Sequence, residues 1–130
     1  MNRYVTDTHA LFWYRTASPR LSATAKAVFD DAAKGQSIIL IPAIVLAELF
    51  YVNEKLGRPL DFVAEFDVLR AAAQFELLPF EATDVLEFGR APGIPEMHDR
   101  MIAVAALRHD ATLITRDAEI IGSGLLKVIW

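Results

Sequence analysis

The sequence predicts an α/β fold of three layers, in which a central parallel sheet of about five strands lies between two layers of helices. Short apolar segments alternate with longer amphipathic ones along the whole chain, a pattern typical of parallel strands joined by helical crossovers. The segment Ile38–Ile41 is aliphatic throughout, as expected for a strand that is buried on both faces. A length of 130 residues fits one domain spanning residues 1–130.

Each element is predicted by its own local signal. Runs of aliphatic and β-branched residues predict strands at residues 3–6, 38–41, 75–79, 112–115 and 127–130. Apolar periodicity predicts helices at residues 8–14, 23–34, 42–56, 60–73, 83–90, 98–109 and 118–121, and prolines with a glycine predict a loop at 91–96. Ser22 is a suitable N-cap for the second helix, and Gly35 and Gly57 are suitable stop signals for the second and third.

Composition and charge exclude several classes of protein. The absence of cysteine excludes disulfides, thiolate zinc sites and cysteine nucleophiles, and it suits a reducing, cytoplasmic location. No segment has the apolar core of a secretory signal or the ~18 apolar residues of a membrane span. A formal charge of −4 argues against wholesale binding of nucleic acid but not against a local site. The mean hydropathy of +0.30 favours either a well-packed core or apolar surface that a partner covers.

Four acidic residues occupy positions that a parallel sheet would bring together. Asp7 follows the first predicted strand, Asp117 follows the fourth, Asp99 opens an apolar helix, and Glu48 interrupts another apolar helix. Ligands of open parallel sheets bind beyond the carboxyl ends of the strands. Carboxylates gathered there repel one another unless one is protonated or a cation lies among them. The pattern therefore predicts a divalent-metal site, and the metal indicates phosphate chemistry.

Each of these acids also has a structural interpretation. Aspartate is a favourable N-cap residue, so Asp7, Asp99 and Asp117 could each cap a helix. Glu48 lies on an apolar helical face, where an ion pair with an arginine is the main alternative to a metal. The joint placement of all four residues favours the metal site over four unrelated structural roles.

Around the four acids the sequence resembles the PIN-domain ribonucleases of the VapC toxin type. The similar segments follow the family's order across essentially the whole chain: Asp7–Trp13, Ala47–Leu49, Asp99–Ala103 and Leu113–Asp117. The resemblance implies a PIN-like fold and an endoribonuclease dependent on Mg²⁺ or Mn²⁺, which hydrolyses RNA as the toxin of a toxin–antitoxin pair. It also implies which residues are catalytic and bind the metal: Asp7, Glu48, Asp99 and Asp117.

Further roles and partners follow from the same resemblance. Thr115 would support the site by hydrogen bonding, although a β-branched residue is also expected in a strand. General phosphate chemistry, and not the resemblance, makes Arg100 and Arg116 candidates for contacting RNA, because arginine binds phosphate in a bidentate manner. Each also fits an ordinary surface charge, and Arg116 could instead pair with an acid. The implied partners are RNA, a second copy of the chain in a homodimer, and a VapB-like antitoxin. Such an antitoxin typically lays a peptide across the cleft and can place an arginine in it.

Two other functions fit an α/β unit with acids at the ends of its strands. A receiver-like signalling domain would need paired acids after the first strand and a lysine after the fifth, but Asp7 has no acidic neighbour and Lys127 enters a strand. A non-catalytic protein-binding module is the second alternative. The sequence leaves open which RNA is cut and where, whether one ion or two take part, which antitoxin binds, and the roles of His9, His98 and Phe12–Tyr14.

Overall fold

A five-stranded parallel sheet forms the centre of the protein, whose computed structural model describes all residues from Met1 to Trp130. The strands are β1 (Asn2–Thr6), β2 (Ser37–Pro42), β3 (Phe75–Leu78), β4 (Thr112–Ile114) and β5 (Val128–Ile129). Their order across the sheet is β3-β2-β1-β4-β5, and every neighbouring pair is parallel. The predicted α/β architecture is confirmed.

Six α-helices and one 3-10 helix connect the strands. They are α1 (Thr8–Arg15), α2 (Ala23–Ala33), α3 (Ala43–Lys55), α4 (Phe62–Ala71), the 3-10 helix (Ala82–Arg90), α5 (Met97–Arg108) and α6 (Ala118–Ser123). None of them combines the length and the hydropathy needed to cross a lipid bilayer.

Local signals in the sequence set several of the helix ends. The hydroxyl of Ser22 caps α2 by accepting a hydrogen bond from the N–H of Ala25 at 3.0 Å. Gly35 and Gly57, with φ of +80° and +82°, follow α2 and α3. Because positive φ is unfavourable for residues that carry a Cβ, glycine lets the chain leave each helix at these points. The predicted cap and stop signals are thus confirmed.

One predicted α-helix, at residues 83–90, is instead the 3-10 helix. The carboxylate of Asp84 accepts hydrogen bonds from the N–H of Glu81 at 2.8 Å and from Arg108 of α5 at 2.6 Å. These contacts fix the start of the 3-10 helix and join it to α5. The third strand is also shorter than predicted, since it ends before Pro79, which has no N–H to donate.

The order of the strands creates a crevice at one edge of the sheet. From the central β1 the chain adds β2 and β3 on one side and then returns to place β4 on the other side. A reversal of this kind opens a crevice at the carboxyl ends of the two strands that flank it. Here the N–H of Asp7, just after β1, donates to the carbonyl of Ile114 at the end of β4, at 3.1 Å. Residues that follow β1 and β4 are thereby brought together.

The positive φ of Gly57, just after α3, predicts the effect of replacing this glycine. Gly57→Ala should lower the free energy of unfolding by about 1 kcal/mol, because alanine is unfavourable at positive φ. Gly122→Ala is the matched control: this glycine lies within α6 and an added Cβ meets no atom within 4 Å, so alanine should stabilise by about 0.5 kcal/mol. Urea unfolding measures both, and a stabilising Gly57→Ala would contradict the assignment.

Candidate active site

Four acidic side chains from four separate segments line one cleft at the carboxyl edge of the sheet. The cleft has a volume of about 180 Å³, and its acids are Asp7 after β1, Glu48 of α3, Asp99 of α5 and Asp117 before α6. The remaining lining residues are Thr8, His9, Val52, Ile102, Thr115 and Ile120. The structure therefore brings together all four acids that the sequence singles out.

Asp7 combines helix capping with a place in the cleft. Its Oδ1 accepts a hydrogen bond from the N–H of Ala10 at 2.8 Å, so it is the N-cap of α1. Burial raises the pKa of Asp7 above its usual value, and hydrogen bonds from Thr115 and Ala10 offset this only in part. A carboxylate held in these surroundings is stabilised by a nearby cation.

Asp117 is also an N-cap that faces the cleft. Its Oδ1 accepts hydrogen bonds from the N–H groups of Glu119 and Ile120, each at 3.0 Å. Thr115 is fully buried, and its hydroxyl accepts a hydrogen bond from the N–H of Asp117 at 3.1 Å. The same hydroxyl counteracts the raised pKa of Asp7. Thr115 thus lies where a supporting residue is expected, and its functional role stays a prediction.

Asp99 lies in the most repulsive surroundings of the four. It is the third residue of α5 and not its cap, because Glu96 is the N-cap and accepts the N–H of Asp99 at 2.8 Å. Burial raises the pKa of Asp99 to about 6, with further contributions from the charges of Asp117, Glu96, Glu48 and Glu119. No hydrogen bond to its carboxylate offsets these effects. The capping interpretation is therefore wrong for this residue.

Glu48 is held without an arginine. Its Oε1 accepts a hydrogen bond from the Thr8 hydroxyl at 2.7 Å, and its Oε2 lies 3.7 Å from Nδ1 of His98. The same nitrogen lies 3.3 Å from a carboxylate oxygen of Glu96. The alternative of an arginine ion pair is wrong, and Glu48 is half-buried at the cleft and not enclosed in the core.

Two residues of this network, Thr8 and Glu96, are not found by reasoning from the sequence. Thr8 and its partner Glu48 lie 40 residues apart, and no local pattern indicates their contact. Glu96 could have been found, because it precedes Asp99 by three residues, which is the spacing of a side chain that caps the N–H of the third helical residue.

The donor set suits a hard divalent cation, although the side chains do not form a closed ligand shell. No group of three or more acidic or histidine side chains converges closely enough to hold one ion jointly. The four carboxylates are therefore less closely packed than the sequence predicts for a shared ion site. Asp7 and Asp117 each direct one oxygen towards a helix N-terminus, and like charges repel. Mg²⁺ usually retains several waters and few direct carboxylate ligands, which fits this open cleft.

The two arginines that the sequence proposes for RNA contact lie in different surroundings. Arg100 faces the loop before α5, where its Nε donates to the carbonyl of Ile94 at 2.7 Å and its Nη2 lies 3.5 Å from the carbonyl of Pro92. Arg116 is exposed beside the cleft, and its guanidinium lies over the ring of Trp13. The structure thus gives Arg100 a contact within its own fold and leaves Arg116 next to the acids.

The raised pKa of Asp99 predicts how stability depends on pH in the ion-free protein. Its pKa is 3.8 ordinarily and about 6 when folded, so the native state binds more protons and stability falls as pH rises between these values. In chelator at pH 8, Asp99→Asn should be more stable than the parent by about 1 kcal/mol, allowing for solvent screening. Urea unfolding at pH 4 should show no gain. A gain of equal size at both pH values would contradict this assignment.

Comparisons with solved structures agree with the observed fold. A chain of VapBC2 from Rickettsia felis, solved with a promoter DNA fragment, matches with a TM-score of 0.70 at 21% identity, over 98% of this chain and 97% of that one. DNA-bound VapBC from Salmonella typhimurium matches at 0.70 and 20% identity, over 99% and 98%. VapC20 of Mycobacterium tuberculosis, a toxin that cleaves the Sarcin-Ricin loop, matches at 0.70 and 12% identity, over 96% and 98%.

The family of the chain is settled by its sequence. Structural similarity at these identities shows a shared fold alone, and no curated protein is significantly similar to the chain. The family model of the PIN domain, however, matches residues 4–121, which include all four acids, the last three residues of β1 and the whole of β4. The chain therefore belongs to the PIN domain family.

Proposed function

We propose that this protein is a metal-dependent endoribonuclease of the VapC type, the toxin of a toxin–antitoxin pair. PIN domains are nucleases, and the family match removes the receiver-like alternative. The observation that carries the proposal is the convergence of Asp7, Glu48, Asp99 and Asp117 on one cleft. The pKa of Asp99, raised to about 6, supports it, because perturbed carboxylates in clefts are typical of functional sites.

The four acids that line the cleft, Asp7, Glu48, Asp99 and Asp117, would hold Mg²⁺ or Mn²⁺. When bound, the cation activates water for attack and offsets negative charge on the phosphodiester. Capping fixes Asp7 and Asp117 in place before substrate arrives, so little reorganisation is needed. Glu48, anchored through Oε1, keeps Oε2 available to orient the attacking water and accept its proton.

The hydrolysis itself adds water across a phosphorus–oxygen bond of RNA. The water oxygen bonds to phosphorus, the bond to the leaving ribose oxygen breaks, and one proton passes to that oxygen. Because the cleft holds four carboxylates, a phosphodiester would be repelled from it in the absence of a cation. Dependence on metal therefore follows for substrate binding as well as for the chemical step.

The partners that we propose rest on exposed apolar surface and on the solved relatives. Phe50, Tyr51, Leu56 and Val63 of α3, α4 and their connection are exposed, and the ring of Phe50 lies 5.3 Å from that of Phe62. Apolar surface of this kind is commonly covered by a partner protein. The relatives named above as VapBC were solved as such assemblies, which supports a VapB-like antitoxin. A homodimer and a cytoplasmic location belong to the same proposal.

Removal of the metal gives the simplest test. Purified protein should cleave single-stranded RNA in Mg²⁺ or Mn²⁺, lose this activity in chelator, and regain it when either ion is added in excess. Gel analysis of end-labelled RNA measures the products. Undiminished cleavage in chelator would show that the activity does not depend on a divalent cation.

Single substitutions test the residues. Asp7→Asn and Asp99→Asn should each lower cleavage on the order of a hundredfold or more. Both variants should remain folded, because asparagine can replace Asp7 as the cap of α1 and Asp99 caps no helix. Asp67→Asn is the matched control, since Asp67 is an exposed acid that pairs with Arg70 on α4 and should keep full activity. Wild-type activity in either cleft variant would show that the residue is wrongly assigned.

A further inference from the structure

Two of the nine arginines in the chain have no polar partner for their guanidinium groups. The other seven each contact a carboxylate, a carbonyl oxygen or a ring nitrogen: Arg3, Arg15, Arg58, Arg70, Arg90, Arg100 and Arg108. The two exceptions, Arg20 and Arg116, line the same compartment. Free guanidinium groups are thus concentrated at one place on a protein whose formal net charge is −4.

This compartment, which we call the arginine pocket, adjoins the acidic cleft. It has a volume of about 330 Å³, and its lining residues are Asp7, His9, Trp13, Arg20, Arg116 and Asp117. Asp7, His9 and Asp117 also line the acidic cleft. A ligand that spans both spaces would therefore meet carboxylates at one end and guanidinium groups at the other.

The guanidinium of Arg116 is supported by the only two tryptophans in the chain. It lies 4.6 Å from the ring centroid of Trp13 and 6.0 Å from that of Trp130, and the two indoles meet edge to face at 5.9 Å. Cation–π contacts of this kind orient the guanidinium and leave its N–H groups free to donate. Trp13 is only 6% exposed, so it supports the arginine and offers no open face to a base.

A role in neutralising the acids would explain these arginines less well. An arginine that serves this purpose would pair with Asp7 or Asp117, as Arg15 pairs with Glu65 and Arg108 with Asp84. Neither Arg20 nor Arg116 forms an ion pair. Their N–H groups are available to a ligand from outside the chain.

We propose that the arginine pocket binds the RNA phosphate next to the scissile one, with Arg116 and Arg20 as positioning residues. This inference rests on the proposed function of the acidic cleft. A strand whose scissile phosphate lies among the carboxylates must place a neighbouring phosphate beside them, and the shared residues Asp7 and Asp117 put the arginine pocket at that position. Two guanidinium groups supply the local positive charge that an acidic protein needs to hold a polyanion.

The tryptophans provide a direct test, because both lie beside Arg116 and their emission should report occupancy of the pocket. A single-stranded RNA octamer is titrated, with Mg²⁺ present, into Asp99→Asn protein, in which the proposed function predicts cleavage slowed about a hundredfold or more. We expect a saturable change in emission. Adding Arg116→Ala or Arg20→Ala to this background should weaken RNA binding about tenfold. Each change should also reduce the slope of log affinity against log salt concentration by about one. Polarisation of end-labelled RNA measures the same affinities independently of tryptophan.

Arg70→Ala in the same background is the matched control, since it removes an exposed, ion-paired arginine and makes the same change in charge. It should bind RNA as the background does. Arg116→Lys keeps the charge but lacks the planar guanidinium that lies over Trp13. Its affinity for RNA should therefore fall between those of the arginine and alanine proteins. In otherwise wild-type protein, Arg116→Ala should raise KM about tenfold and leave kcat within about threefold, as expected of lost uniform binding.

The outcomes separate this inference from the proposed function. If Arg20→Ala and Arg116→Ala bind RNA as tightly as Arg70→Ala does, the arginine pocket is overturned. Metal-dependent cleavage by the wild type would in that case still support the proposed nuclease activity. RNA that binds without changing tryptophan emission would also overturn the arginine pocket. If Arg116→Lys binds RNA with full affinity, the stacked guanidinium of Arg116 has no special role. If RNA binding depends on these arginines but the wild type cleaves no RNA, the proposed nuclease activity is wrong and the arginine pocket remains supported as an RNA-binding site.

Discussion

Repulsion among four carboxylates at the crevice between β1 and β4 is the constraint on which the rest of the structure depends. The fold limits this repulsion by giving three of the acids fixed partners: Asp7 and Asp117 accept backbone N–H groups, and Glu48 accepts the Thr8 hydroxyl. Asp99 has no such partner, and its pKa rises to about 6 as a result of burial and its acidic neighbours. The buried sheet keeps these groups together although ionisation of Asp99 opposes folding.

At Asp7 and Asp117, helix capping is compatible with the catalytic role that we propose. Both residues cap helices, and both line the cleft. Thr115 fixes the turn before Asp117 and also favours the charged form of Asp7. A residue that caps a helix at the carboxyl edge of a parallel sheet is thus already placed to bind a cation, because each following helix begins where ligands bind. For this reason, a capping role alone is a poor argument against a catalytic role.

Much of this site could be predicted because its signals are local. Apolar runs mark the strands, and an acid directly after a strand must lie at the carboxyl edge of a parallel sheet, which places Asp7 and Asp117. What could not be predicted depends on packing between distant segments. The contact of Thr8 with Glu48 spans 40 residues, and the support of Arg116 by Trp130 requires β4 and β5 to be neighbours. The ion pair of Asp84, at the start of the 3-10 helix, with Arg108 of α5 likewise joins residues 24 positions apart in the chain.

The central claim is that the crevice between β1 and β4 binds a divalent cation. Crystals of the protein soaked in Mn²⁺, with anomalous diffraction recorded at the manganese edge, provide the decisive measurement. We expect an anomalous peak inside the cleft, in contact with carboxylates among Asp7, Asp99 and Asp117 and surrounded by waters. A saturating soak that leaves the cleft without a peak, or that places manganese only elsewhere on the protein, would contradict it.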